Sequence, residues 1–484
     1  MGPSFPDVDH SPPAAASSPF GADRAKIVSR SWTDRRTAIV LALFAFGVYN
    51  ANARLVAVGD SLPARFLPFA LLQHGTLYLD PVLEALRPAG HQAYWIQPAR
   101  WGHHASLYPV ATPLIVTPLY VPASLYLHVK GPSEARLERI GALMEKLSAS
   151  SVAASCVGLM FLLLRRRVSH RDALLLAAAF GFATNTWVTS SQALWQHGTG
   201  ELLLTCALLG MTREPAAKAV AAAGFFAGLL AANRPPDVVL AASLGAYAVF
   251  WARGKIVPFV AGAILPLGAT VAYNWIVFRN LTGGYGQAGI ADASFFMGST
   301  LFMGVAGLLF SPGKGLFFYA PFLLFLPVLF HRSLADRRFR LLSLCLTGGA
   351  ILQLLLYAQT DWRAGFSWGP RFLVDLLPAL VFLLAPVLPT LSRPSRALFL
   401  ACCAWSVFAQ GVGAFMYQGA SDAILYERVG PRAMENAWNP ALSPILIEAR
   451  QSPARMSLLP ISGTLRGPAG DHEELSTEER PEPR

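Results

Sequence analysis

Three carboxylates, three cations and a set of large aromatics stand out from an otherwise apolar chain. The carboxylates are Asp60, Asp361 and Asp375, and the cations are Arg234, Lys314 and Arg371. The aromatics include Trp95, Trp101, Trp195, Tyr285, Trp362 and Trp368. Aromatic faces beside carboxylates suit a sugar, whose apolar face stacks while its hydroxyls bond. Arginine forks suit phosphate oxygens, which they meet two at a time. Each residue also has a plainer reading. Asp60, in "VGDSLPARFLPFALL", could be a solvated aspartate at a helix end. Arg234 could snorkel from the end of an apolar helix. Asp361 could pair with Arg363, and Asp375 stands four residues after Arg371, the spacing of a helix ion pair. Lys314 lies in "SPGKG", where glycine follows the lysine and no strand precedes it, so a nucleotide loop does not fit. His103 and His104 are adjacent and poorly placed to share one ion, so they read as solvated loop residues.

The elements that must position these residues follow from composition. Of 484 residues, 54% are hydrophobic and 14% charged, where a soluble chain carries about a quarter charged. The apolar residues form runs separated by short basic turns, which predicts an all-α polytopic membrane protein. The net charge of +11 comes from lysines and arginines in those turns; they set orientation and exclude a nucleic-acid partner. The five cysteines all lie in apolar runs and read as small core residues.

Arg35 and Arg36 precede the first span and place the N-terminus in the cytoplasm. The stretch 107–129 is long enough to cross, yet Pro109, Pro113, Pro118 and Pro122 interrupt it. If it crosses, the basic turns at 165–171, 251–255, 331–340 and 392–396 fall outside; if it lies in the interface as a broken amphipathic helix, they all become cytoplasmic. The second choice predicts about 11 spans, at 37–53, 140–164, 171–188, 197–212, 217–233, 237–252, 256–278, 316–331, 339–358, 374–391 and 396–416. The C-terminus is then outside. Residues 1–35 read as a disordered cytoplasmic segment, 36–418 as the membrane domain, and 419–484 as an outer tail, largely disordered after about 465.

On this topology the unusual polar residues collect on the outer side. The first outer loop holds Asp60, Arg65, His74, Asp80, Tyr94, His103, His104 and Tyr108; later outer segments bring His197, Arg234, Lys314, Asp361, Arg363, Arg371 and Asp375. A charge near hydrocarbon costs about 2.5–3.5 kcal/mol on translocon scales, so such residues need a partner or a purpose.

The order "GDSLPARFLP", "WGHHASLYPVATPL", "AANRP", "YNWIVFRN", "LLFSPGKGLFFYAP" and "DWRAGFSWGPRFLVDLLP" resembles membrane glycosyltransferases of the GT-C superfamily, polytopic relatives of the protein O-mannosyltransferases and of the aminoarabinose transferase acting on lipid A. The resemblance covers roughly residues 37–418 and rests on the combination of motifs. It implies an enzyme of the bacterial cytoplasmic (inner) membrane that moves a hexosyl or pentosyl group from a polyprenyl-phosphate carrier to an acceptor on the outer face. It implies Asp60 as the general base in a first outer loop with surface helices at 61–73 and 107–129, and inversion at the sugar. It makes Arg234, Lys314 and Arg371 the donor phosphate-binding residues, and puts Arg65, His103, Tyr108, His197, Asp361, Trp362 and Trp368 in the sugar or acceptor site. Many relatives carry two adjacent acids where this chain has Asp60 and Ser61, so the second acid has no assignment and Asp80 is only a candidate. The acceptor, whether lipid, polysaccharide or protein, is not legible. No metal ligands are assigned, though the carboxylates leave room for a divalent ion. The competing reading is a transporter or flippase of a lipid-linked or polar solute, which calls for ionisable residues near the midplane and internal symmetry.

Overall fold

The computed structural model describes residues 19–86, 93–289, 300–427, 433–454, 456 and 458. The expectations for residues 1–18 and for the end of the tail lie outside the described residues. Among these residues the architecture is helical, with a single two-stranded sheet. Helix α1 is Pro19–Asn50. Pro19 occupies the first helical position, where its missing N–H costs nothing, and no proline follows within the helix.

The next elements are α2 (Leu62–His74), α3 (Asp80–Leu86), α4 (Ala111–Lys130), α5 (Glu134–Leu164), α6 (His170–Phe182), α7 (Gln196–Met211), α8 (Ala217–Asn233), α9 (Val238–Trp251) and α10 (Ile256–Phe278). Helices Arg340–Ala358 and Arg393–Met416 follow. Three expected spans are segmented rather than continuous: 171–188 becomes α6 and a separate helical turn Thr186–Ser190, and two more break at prolines. Region 316–331 divides into four short helical pieces, and 374–391 becomes helix Leu377–Leu384 flanked by 3-10 turns Arg371–Leu376 and Ala385–Thr390. Prolines at 321, 327, 378, 386 and 389 account for this, since each removes a donor from the helical ladder.

Among the described residues, five helical segments are long and apolar enough to cross a membrane: Glu134–Leu164, Ile256–Phe278, Arg340–Ala358, Arg371–Thr390 and Arg393–Met416. α10 is the plainest case, because only 11% of its apolar window is buried. It exposes Val257, Ile264, Leu265 and Ile276, a surface that water would not tolerate and lipid would. Its other face meets α8 backbone to backbone. A Cβ at Gly228 would fall 2.3 Å from the Ala263 carbonyl oxygen, and one at Gly262 would fall 2.1 Å from that of Ala221. Small residues thus let two membrane helices close up.

The basic turns gather at one end of the molecule. Arg165 and His170 meet Asp34 at 2.9 and 3.0 Å, Arg396 meets Asp172 at 2.7 Å, and Arg332 bonds Thr390. Lys255 and Trp251 reach the backbone of Pro215 and Arg213. This is the grouping that the interfacial choice for 107–129 requires. α4 is placed toward the opposite end. It starts where Thr112 bonds Asn233 at 2.7 Å and ends where Arg136, in the first turn of α5, bonds the Lys130 carbonyl at 2.8 Å. α5 then runs 31 residues, about 46 Å, to the basic end. Both ends of α4 therefore lie away from that end.

α4 was expected to break at its prolines, yet it is one helix through Pro118 and Pro122. Packing on α2 compensates for the lost bonds: Tyr120 meets Phe69 edge-on at 5.0 Å, and Gln73 bonds the Ser124 carbonyl. The sheet lies between these surface helices. Strands β1 (Ile96–Pro98) and β2 (His104–Ser106) pair antiparallel with Ile96 opposite Ser106, and the bond from Leu107 N to Trp95 O extends the ladder by one step. Carried one residue further, that register sets Tyr94 opposite Tyr108.

Candidate functional site

Asp60 sits in a 3-10 turn (Gly59–Ser61) that leads into α2. The hairpin delivers two phenols to one of its oxygens: Tyr94 at 2.5 Å and Tyr108 at 2.6 Å, both donating to Oδ1. Arg371 donates to Oδ2 at 2.8 Å from 311 residues away. The Arg371 guanidinium also lies 4.6 Å from the Trp195 ring centroid, a cation–π contact, and its Nε is buried without a partner. Burial alone would push the Asp60 carboxyl up. The Arg371 charge and the three hydrogen bonds outweigh burial and hold the group below the ordinary carboxylate value. Burial and the Asp60 charge push both phenols up, so they remain donors. The Asp60 side chain keeps 22% of its surface open.

Beside this cluster is a mainly apolar pocket lined by Val56, Val58, Trp195, Phe366, Trp368 and Tyr417, among others. On the far side of Tyr108 is a smaller one that includes Ser106, Tyr273, Asn274 and Thr282. Tyr285 stands edge-on to Tyr108 at 5.8 Å.

A second cluster is buried. Arg234 donates to Asp375 Oδ2, to which His197 Nδ1 also bonds at 3.0 Å, and Gln353 donates to Asp237 at 2.8 Å. Asp375 is thereby corrected. It does not pair with Arg371, because residues 371–376 form a 3-10 turn in which the four-residue spacing no longer aligns. One oxygen of Asp375 and one of Asp237 have no partner, and both face Gly200, where a Cβ would lie 2.8 and 3.3 Å from them.

The remaining residues read from the sequence are placed apart from Asp60. Lys314 is fully buried and donates to the carbonyls of Gly365 and Ser367, with Asp422 at 3.6 Å. Burial pushes its amine down to about 8, against the pull of Asp422. It braces the loop that leads to Arg371 and presents no free donor to an external phosphate. Arg65 bonds Glu145 at 2.6 Å and pins α2 to α5. His103 and His104 both lie on Asp80, at 3.1 and 2.9 Å, and Tyr78 stacks on His103. Asp361 pairs with Arg363 at 2.7 Å, the plainer of its two readings. Trp362 is packed against Gly307 and Trp438 in the core, so it forms no exposed platform. Trp368 is also buried but lines the apolar pocket.

Sequence reasoning gave no role to Tyr94 or Glu145. For Tyr94 a signal was available: "YWIQPARWGHHASLY" has two short apolar-aromatic runs around a glycine-containing turn, a hairpin pattern. For Glu145, inside a long apolar helix, no sequence signal names the partner. Among the described residues, no group of three or more His, Cys, Asp and Glu side chains is arranged to hold a metal ion.

No family model and no curated protein matches the chain. Solved structures do. ArnT from Cupriavidus metallidurans in the apo state is similar at 16% identity and a TM-score of 0.46, over 83% of this chain and 66% of that one. The oligosaccharyltransferase AglB from Archaeoglobus fulgidus, in complex with an inhibitory peptide and a dolichol-phosphate, is similar at 10% identity and a TM-score of 0.44, over 90% and 62%. The Archaeoglobus fulgidus oligosaccharyltransferase tethered to an acceptor peptide gives 14% and 0.47, over 86% and 59%. The chain thus spans less than two thirds of the length of these proteins.

Proposed function

We propose that this chain is a membrane glycosyltransferase that takes a sugar from a polyprenyl-phosphate carrier at the end of the bundle opposite the basic turns, which we assign to the outer side of the bacterial inner membrane. The observation that carries the reading is the partly open carboxylate of Asp60, held by Arg371 from 311 residues away beside the Trp195 ring. In the reaction, an acceptor hydroxyl oxygen bonds to the anomeric carbon and its proton passes to Asp60. The bond from that carbon to the lipid phosphate breaks, and its electron pair stays on the phosphate oxygen. Attack opposite the departing group inverts the sugar. Phosphate is a good leaving group, so a cation suffices where charge develops. Arg371 is that cation: turning from Asp60 toward the phosphate, it also returns basicity to Asp60. Arg234 and Lys314 hold the frame through Asp375 and the Gly365–Ser367 carbonyls. The donor sugar is hexosyl or pentosyl, and the acceptor a lipid, polysaccharide or protein hydroxyl.

The test is a deletion strain rescued by the native chain or by Asp60→Asn at equal membrane abundance. Sugar composition of the envelope and the pool of lipid-linked sugars are compared. Loss of one envelope sugar that Asp60→Asn fails to restore supports the transferase. Full rescue by Asp60→Asn removes the base and brings transport of a lipid-linked solute forward.

A further inference from the structure

The hydrogen bonds on Asp60 raise a difficulty for its role as a base. Oδ1 accepts from Tyr94 and Tyr108 at once, which fills both of its acceptor positions, and Oδ2 is held by a guanidinium. A base needs an oxygen open to the proton it takes. Oδ2 is released only when Arg371 turns to the phosphate; for Oδ1 to take the proton one of its two phenols must leave, and the two are not equally held. Tyr108 packs edge-on to Tyr285 with its backbone N–H tied to Ser106 Oγ. Tyr94 is 55% exposed and precedes the first ladder residue, Ile96, by two positions. Its hydroxyl rests over Gly59, where a Cβ would lie 2.5 Å from that oxygen. The glycine therefore forms the floor of a slot that Tyr94 fills.

We infer that the Tyr94 hydroxyl occupies the place of the acceptor's hydroxyl, and that the acceptor enters by displacing it from the slot between Gly59 and Asp60 Oδ1. The exchange is like for like, one O–H donor for another, so Asp60 is satisfied before and after. An alcohol or sugar hydroxyl fits this exchange, whereas an anionic nucleophile would meet the carboxylate with repulsion. In the resting enzyme the same contact covers the base. The inference rests on the transferase reading for the identity of the displacing group, but the cover itself can be measured without substrate.

The experiment uses the full chain carrying Asp60→Cys with its five native cysteines replaced by serine, and the probe is 2-hydroxyethyl methanethiosulfonate. Reaction at position 60 is followed by peptide mass spectrometry, alone and with Tyr94→Ala or Gly59→Ala added. The two added variants open the site by independent routes, one removing the ring and one expelling the hydroxyl with a methyl group. Both are expected to react several-fold faster. Equal rates in all three overturn the inference. In the deletion strain, Tyr94→Phe with Asp60 intact is expected to retain sugar transfer at an altered rate, because the acceptor supplies the bond the variant lacks and no phenol competes with it for the slot. If Tyr94→Phe is as abundant and as thermally stable as the native chain yet fails like Asp60→Asn, Tyr94 positions the base and the inference falls. Rescue by Asp60→Asn would instead defeat the transferase reading, leaving the labelling result to stand by itself.

Discussion

The two ends of the helical bundle use the same residue types to opposite effect. At the basic end, Arg396 with Asp172 and Arg165 or His170 with Asp34 form pairs whose side chains keep between 11% and 40% of their surface. At the other end, Arg234, His197 and Asp375 keep 9%, 5% and none. Exposed pairs contribute little, because water and salt screen them and long side chains lose entropy on ordering. Buried ones are costly to assemble and costlier to break, since removing one partner strands the other charge. The basic end therefore carries screened surface pairs, and the opposite end holds a defined constellation. Asp60 belongs to neither extreme: it is partly open, yet fixed by three donors. That intermediate state is consistent with the proposed role of Asp60 as the base.

The largest expected effect separates the ends by activity. Asp60→Asn should lower transfer by about a hundredfold or more, within the range for loss of a positioned base, whereas Asp172→Asn should leave the rate unchanged. Radiolabelled sugar incorporation into the envelope, at matched abundance, checks both. Equal losses would erase the distinction between the ends. Stability gives the next contrast. Arg234→Met leaves Asp375 buried with its main partner gone and should cost about 3–5 kcal/mol, while Arg396→Met should cost about 0–1 kcal/mol. Thermal melting in detergent ranks the two; a mild Arg234→Met would mean that His197 alone satisfies Asp375.

A smaller effect sharpens the picture through pH. Lys314 has its folded value pushed to about 8 from 10.5, so the folded chain binds fewer protons than the unfolded one between those values. Stability should therefore rise as pH climbs from about 8 toward 10. Lys314→Met should flatten that rise over the same window. Melting temperatures at several pH values read it directly, and an unchanged slope would show that Lys314 is not the titrating group.

Much of the scaffold was legible in the linear order. The end of α5 fell where the sequence put it, though the helix begins earlier, at Glu134, and α8, α9 and α10 began and ended close to where apolar runs and basic turns put them. The segmented spans were less so, because proline spacing signals a break without saying which 3-10 turns replace the helix. At the site, Asp60, Tyr108 and Arg371 were all named from sequence, yet nothing there joined them. Asp375 shows why. Its spacing from Arg371 suggested a helix pair, but the backbone took a tighter turn and the carboxylate went to Arg234.

Composition and charge order determined by themselves that this is an all-α membrane chain with its basic turns on one side. Each apolar run must satisfy its own backbone in lipid, and charge bias is read locally. Only the tertiary structure decided which cation meets which carboxylate. It seats Lys314 in the interior, gives Arg234 to Asp375, and brings Arg371 and the Tyr94–Tyr108 pair to Asp60. These partners lie tens to hundreds of residues apart, and in a low-dielectric interior a charge is stable only beside the partner that packing delivers.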